Sequence, residues 1–241
     1  MFKRIHISQH SSRLENRAKA FPSYFSHPWL LNRGKSLESE NLEKTPSLAV
    51  VGTRRPSSYG IKHCRRVISK LAFESSQIQI NSGGALGIDA CAHRAALDFG
   101  LKTHAWLVGP IMNPSPRYNS SIFSEMIHSG LGSLWVPELL EPSDKVNIHK
   151  SFWILRNFWL VAASDAVLVI EASENSGTWW TVRAASEMGV PVFALPGPVD
   201  TGQSTGTNRM ISSGYAHSLD SIAILTKCLL VDFVKNSYNH I

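Results

Sequence analysis

The segment Ser82-Gly83-Gly84-Ala85-Leu86-Gly87-Ile88-Asp89 follows an apolar run, Ile78 to Ile80, and leads into a helical pattern through Ala92-His93 and Ala96-Leu97. Glycines between a strand and a helix let the backbone turn tightly and bring its N–H groups near a ligand. The helix adds partial positive charge at its N-terminus. The chemistry this spacing serves is anion binding, and phosphate is the anion it suits best.

Three further segments have the same character. Gly52-Thr53-Arg54-Arg55 ends an apolar run and places two cations in a loop. Glu171 to Thr178 ends in Ser176-Gly177-Thr178, whose hydroxyls and N–H groups suit phosphate oxygens, and Pro196 to Asn208 closes the series. Each has a plain structural counterpart. Gly52 can end a strand, Arg54 can pair with Asp89 or Glu171, and Asp89 can serve as a first-turn acid. His93 can fill space, and Ser176-Gly177-Thr178 can cap a helix.

Among the seven tryptophans, Trp153 and Trp159 flank Arg156-Asn157 and offer aromatic surface beside a cation. Trp106 and Trp180 are expected in the core.

The elements that must position these residues follow from hydrophobic periodicity. Leu48 to Val51 reads as a buried parallel strand, with further strands near 78–80, 103–108, 131–136, 166–171 and 191–195. Helices are expected near 57–73, with Ile61, Val67, Ile68 and Leu71 inward, and near 86–99, 119–129, 151–163, 178–188, 206–214 and 219–230. The alternation predicts an α/β fold: one extended Rossmann-like domain, a doubly wound, mostly parallel sheet. Such sheets bind ligands outside the carboxyl ends of their strands, which brings all four segments to one edge. Residues 1–46 read as an irregular lead-in, 47–225 as the domain and 226–241 as a tail.

The 241 residues carry a net charge of +6, and between Lys44 and Glu74 there is no acidic residue. That window holds Arg54, Arg55, Lys62, Arg65, Arg66 and Lys70. It reads either as a solvated helix face or as a polyanion site. Three cysteines far apart in sequence form no CxxC pair, arguing against a disulfide framework or thiolate zinc site and for a reducing cytoplasm. No signal-peptide core or membrane-length apolar run is present. GxxxxGK[ST], GxGxxG and HExxH are all missing, so a binding protein without cofactor or metal is expected in preference to an enzyme.

Read together, these residues resemble the DNA-processing protein A (DprA/Smf) family. The resemblance spans about residues 24–220. It begins with His27-Pro28-Trp29-Leu30-Leu31 and Gly34, then Val51-Gly52-Thr53-Arg54 followed by Tyr59-Gly60. SGGALGIDACAHRAAL is similar to the family's most recognisable motif. Arg156-Asn157, Val169 to Ala172, Ser176-Gly177-Thr178, Pro196-Gly197 and Gly206-Thr207-Asn208 follow in the family's order.

The resemblance implies a non-enzymatic single-stranded DNA-binding protein that protects incoming strands in natural transformation. It further implies loading of a RecA-type recombinase and action as a homodimer. By position it assigns DNA or phosphate contacts to Arg54, Ser82, Gly83, Gly84, Gly87, Arg156, Asn157, Ser176, Gly177 and Thr178. Gly52, Asp89 and His93 are expected to organise the loops.

Departures from the pattern are Phe158 for the last arginine of an RNR segment, Ser115-Pro116-Arg117-Tyr118-Asn119 for YPxxN, and Leu134-Trp135 for Ser-Glu. No room is expected for the winged-helix or helical domains that many members add. The alternative is a nucleotide sensor or nucleoside-monophosphate hydrolase of the related lysine-decarboxylase-like group. Its motif requires a glutamate where this chain has Thr181.

Overall fold

Strand β3 (Ser47–Val51) is buried along its whole length, as a continuous apolar run requires of a central parallel strand. In a computed structural model of the chain it lies between β4 (Gln79–Ser82) and β7 (Ala166–Val169), parallel to both. The structure describes residues 2–9, 12–21, 23, 29–34, 45–140 and 149–232. The expected lead-in residues His27 and Pro28, the 35–44 charge run, Pro142 and the tail beyond 232 lie outside them.

From β3 the chain winds outward through α2 (Ser58–Glu74), β4, α3 (Ile88–Asp98), β5 (Lys102–Trp106), α4 (Ser120–Ser129) and β6 (Gly132–Pro137). It then returns through α5 (Lys150–Ala162) to β7 on the other side of β3. Helix α6 (Thr178–Glu187), β8 (Val192–Ala194), α7 (Thr205–Ser212) and β9 (His217–Ser218) extend that side. Helix α8 (Ile222–Thr226) and a π-helical segment (Lys227–Asp232) follow. The strand order reverses between β3 and β7, which opens a crevice at their carboxyl ends.

Alternation along β3 sends its side chains into two layers. Ala49 and Val51 meet Phe158 and Trp159 of α5, Val182 of α6 and Met210 of α7. Leu48 and Val50 meet Val67, Ile68 and Leu71 of α2, Ala92 and Ala95 of α3, and Leu225 of α8. A third cluster seats Phe123 and Met126 of α4 on Leu107, Leu134 and Val136.

Residues expected to be irregular hold three elements: β1 (Lys3–His6), α1 (Ser12–Ala20) and β2 (Trp29–Gly34). Strand β1 pairs antiparallel with β2, and β2 antiparallel with β6, completing a nine-stranded sheet. The charged sequence KRIH suits an edge strand and hides it from a hydrophobicity pattern. Ile61 does not face inward: it is exposed, and Cys64 takes the inner position instead. Among the described residues, no helix is long and apolar enough to cross a membrane.

Candidate functional site

Backbone hydrogen bonds stitch together the strand ends at the crevice. Thr53 N–H donates to the Glu171 carbonyl at 2.7 Å, Ile88 N–H to the Thr53 carbonyl at 3.1 Å, and Ile170 N–H to the Val51 carbonyl at 3.1 Å. Gly87 holds φ at +81°, and a Cβ there would come within 2.7 Å of Arg54 Cα. This glycine lets the loop before α3 lie directly on the loop before α2.

Beneath the surface, the Ser82–Asp89 turn is held by its own polar groups. Ser82 Oγ donates to the Val50 carbonyl at 2.6 Å. Asn119 Nδ2 donates to the carbonyls of Gly84 and Ala85 at 2.9 and 3.0 Å. The Asp89 carboxylate accepts the Ala85 N–H at 3.2 Å. Arg156 is buried, with its guanidinium donating to the carbonyls of Gly83 and Trp106 and, through Nε, to Asn157 Oδ1. A Cβ on Gly83 would collide with Arg156 and lie 2.7 Å from Asp89 Oδ2, so glycine is required between these charges.

Burial dominates the electrostatics of this layer. It lowers the Arg156 pKa to about 10, with Asp89 opposing and Arg54 reinforcing the shift. Burial also pushes the Asp89 carboxyl upward, against the pull of Arg156 and the Ala85 N–H. His93 is pushed down to about 3 by burial and then by Arg156, so it is neutral. Its Nδ1 shares a hydrogen bond with Thr103 Oγ1 at 2.7 Å, and its Nε2 has no partner among the described residues.

An internal carboxylate stands at the start of α2 and of α3. Asp89 lies in the first turn of α3. Glu171, also buried, accepts from Ser57 N–H at 2.9 Å and from Ser57 Oγ at 2.5 Å, at the N-cap of α2. Both positive helix ends therefore already face an anion.

What remains open to a ligand is a rim. Arg54 is exposed, with no hydrogen-bond or ion-pair partner among the described residues. Its guanidinium carbon lies 6.0 Å from the ring centroid of half-buried Trp153, and that of Arg156 lies 5.5 Å from the Trp153 ring. Trp153 thus lies near both an exposed cation and a buried one. Leu86 and Gly87 complete the exposed part of the turn.

The other expected site residues take up different positions. Ser82, Gly83, Gly84 and Arg156 are buried, and Asn157 is half-buried against Arg156. Ser176-Gly177-Thr178 lies beyond the carboxyl end of neighbouring β7 and caps itself. Ser176 Oγ accepts the Thr178 N–H at 3.2 Å and donates to Thr178 Oγ1 at 2.9 Å. Gly52 packs on Ile88. Asn208 clamps the Pro196-Gly197 turn, accepting from Gly197 N–H and donating to its carbonyl, both at 3.1 Å. Trp180 is 41% exposed, contrary to expectation, under the Arg183 guanidinium. Trp179 packs on the core in its place. Of the basic window, Arg65 is paired with Asp98 at 2.8 Å.

Phe158 and Trp135 are core residues, so these departures change the interior, not the rim. Two residues gain roles that spacing alone did not assign: Glu171 as the α2 cap and Asn119 as the latch on the turn. The signal for Glu171 was an acid closing the strand expected at 166–171.

A family model described as DNA recombination-mediator protein A matches residues 18–229. The chain belongs to this family. Protein Smf of Escherichia coli K12 is 37% identical over 167 residues, covering 69% of this chain and 43% of that protein. DNA processing protein DprA of Streptococcus pneumoniae R6 is 33% identical over 174 residues, covering 72% and 58%. The chain spans about half the length of these curated relatives.

Among solved structures, DprA from Helicobacter pylori superposes with a TM-score of 0.73 at 28% identity, covering 89% of this chain and 93% of that one. It is described with a single-stranded DNA binding mode. DprA from S. pneumoniae superposes at 0.74 and 28%, covering 92% and 72%. The Rossmann-like, doubly wound fold read from periodicity is the fold of these family members.

Proposed function

We propose that the crevice edge binds single-stranded DNA, with Arg54 on a phosphate and Trp153 against a base. The observation that carries this is the pairing of an exposed, unpartnered guanidinium with an adjacent aromatic face at the sheet's switch point. Single strands offer every site both a phosphate charge and a π-face, which a cation beside a tryptophan matches without reading sequence. Family membership and the DNA-binding description of the H. pylori relative support the same reading.

The expected contacts from Arg156 and the inner turn give way to a scaffolding role in this proposal. Arg156, Asp89 and Asn119 fix the turn so that Arg54 and Gly87 stand in place. The protein acts by holding the strand, not by cutting it. Protection of incoming DNA in transformation, delivery to a RecA-type recombinase, homodimer formation and a cytoplasmic location are part of the proposal.

The nucleotide alternative draws less support. Thr181, where the related hydrolases carry their glutamate, is buried, and Glu171 fills the start of α2 where a phosphate would sit. Incubation with AMP is expected to release no base.

The test is a salt-titrated shift of an oligo-dT strand. Wild type is expected to bind at low salt, and Trp153→Ala to lose about 1–3 kcal/mol of affinity. Absence of binding at low salt, or a Trp153→Ala protein that binds like wild type, would refute the reading.

A further inference from the structure

Cysteines far apart in sequence meet where α2 packs on α3. Cys64 is fully buried on the inner face of α2, and Cys91 is half-buried on α3. Cys91 Sγ lies 3.8 Å from the Ile61 carbonyl of α2, one helical turn before Cys64. Cys91 packs on the apolar cluster that contains Cys64, and each thiol shifts the ionisation of the other. Both cysteines therefore lie at the same helix interface, and one of the pair is open to solvent.

We propose that Cys91 is an oxidant-reactive thiol and Cys64 its resolving partner, together forming a reversible intramolecular disulfide between α2 and α3. The chemistry balances with a hydroperoxide as oxidant. The Cys91 thiolate attacks the distal peroxide oxygen, the O–O bond breaks, and an alkoxide or hydroxide leaves with both electrons of that bond. The resulting sulfenic acid is attacked by Cys64 sulfur, which gives up its proton as the S–S bond forms and water departs.

The surroundings favour this order of events. The interaction with Cys64 and the Arg65 charge lower the Cys91 pKa, although burial and the Asp98 charge oppose the shift. Cys64 is held protonated by its interaction with Cys91 and by burial, as suits a resolving thiol. Arg65 is anchored beside the pair by Asp98 at 2.8 Å. Helices α2 and α3 also follow the Arg54 loop and the Ser82–Asp89 turn, and Ile88 N–H already ties the start of α3 to the loop before α2. A disulfide here would fasten the same two elements farther along their length.

The test treats reduced protein with hydrogen peroxide and maps the products by mass spectrometry. The expected result is loss of two hydrogens and a Cys64–Cys91 cross-linked peptide, reversed by dithiothreitol and retained in Cys228→Ser. In Cys64→Ser, Cys91 is expected to stop at the sulfenic acid and form a dimedone adduct. Two free, alkylatable thiols at 64 and 91 after treatment would overturn the proposal. So would cross-links confined to Cys228. Both results are read on wild-type protein, independently of DNA binding and of how the variants fold.

Discussion

Where the parallel strands begin, Arg17 of α1 donates to the carbonyls of Val161 at 2.9 Å, Ala162 at 2.5 Å and Ser164 at 3.0 Å. Beside it, Arg13 pairs with Asp165 at 3.1 Å. Where the same strands end, Arg54 stands exposed, with a tryptophan face nearby and no polar partner among the described residues. Both ends gather arginines, but among the described residues only the second leaves an unpartnered guanidinium to solvent. An arginine whose donors meet the carbonyl end of a helix is part of the fold, because those orphan carbonyls need partners. An arginine left open on the ligand edge of a doubly wound sheet is available for an anion.

Arg156 belongs with the first group despite lying near the second, and its removal should damage the fold most. Arg156→Ala is expected to cost about 3–5 kcal/mol, since it frees two carbonyls and leaves Asp89 buried without its compensating charge. Urea denaturation measures this directly. Arg17→Ala should cost about 1.5–3 kcal/mol by the same assay while leaving single-strand affinity unchanged.

A pH effect sharpens the contrast further. Folded His93 takes its proton only near pH 3, against 6.5 for the free group, so the unfolded chain binds more protons between those values. Stability falls as pH drops through that window, by at most about 1.4 kcal/mol per pH unit. Asp89 works in the opposite direction, because its raised pKa lets the folded state protonate first. Urea melts at several pH values should therefore show a shallower acid loss in His93→Gln than in wild type.

Much of this was legible in the sequence. Continuous apolar runs such as Leu48 to Val51 identify parallel strands, and their glycine-rich ends identify the ligand edge. The edge strand β1 was not legible, because its charged residues carry no hydrophobic period. Nor was the division between scaffold and rim. In the sequence, Arg54 in its loop and Arg156 between Trp153 and Trp159 both read as phosphate-binding cations. Only the packing of α5 shows that Arg156 reaches the carbonyls of Gly83 and Trp106. Asn119 was visible as the end of a motif, but its grip on Gly84 and Ala85 depends on how the loop folds back.

In the proposed reading Arg54 serves the ligand and not the fold, and Arg54→Ala separates the two. Its stability is expected within about 0.5 kcal/mol of wild type, as for a surface substitution without partners. Its affinity for oligo-dT should fall, and the slope of log affinity against log salt should shrink by about 0.7, the share of one single-strand phosphate contact. An Arg54→Ala protein with wild-type affinity and wild-type salt slope would contradict the account.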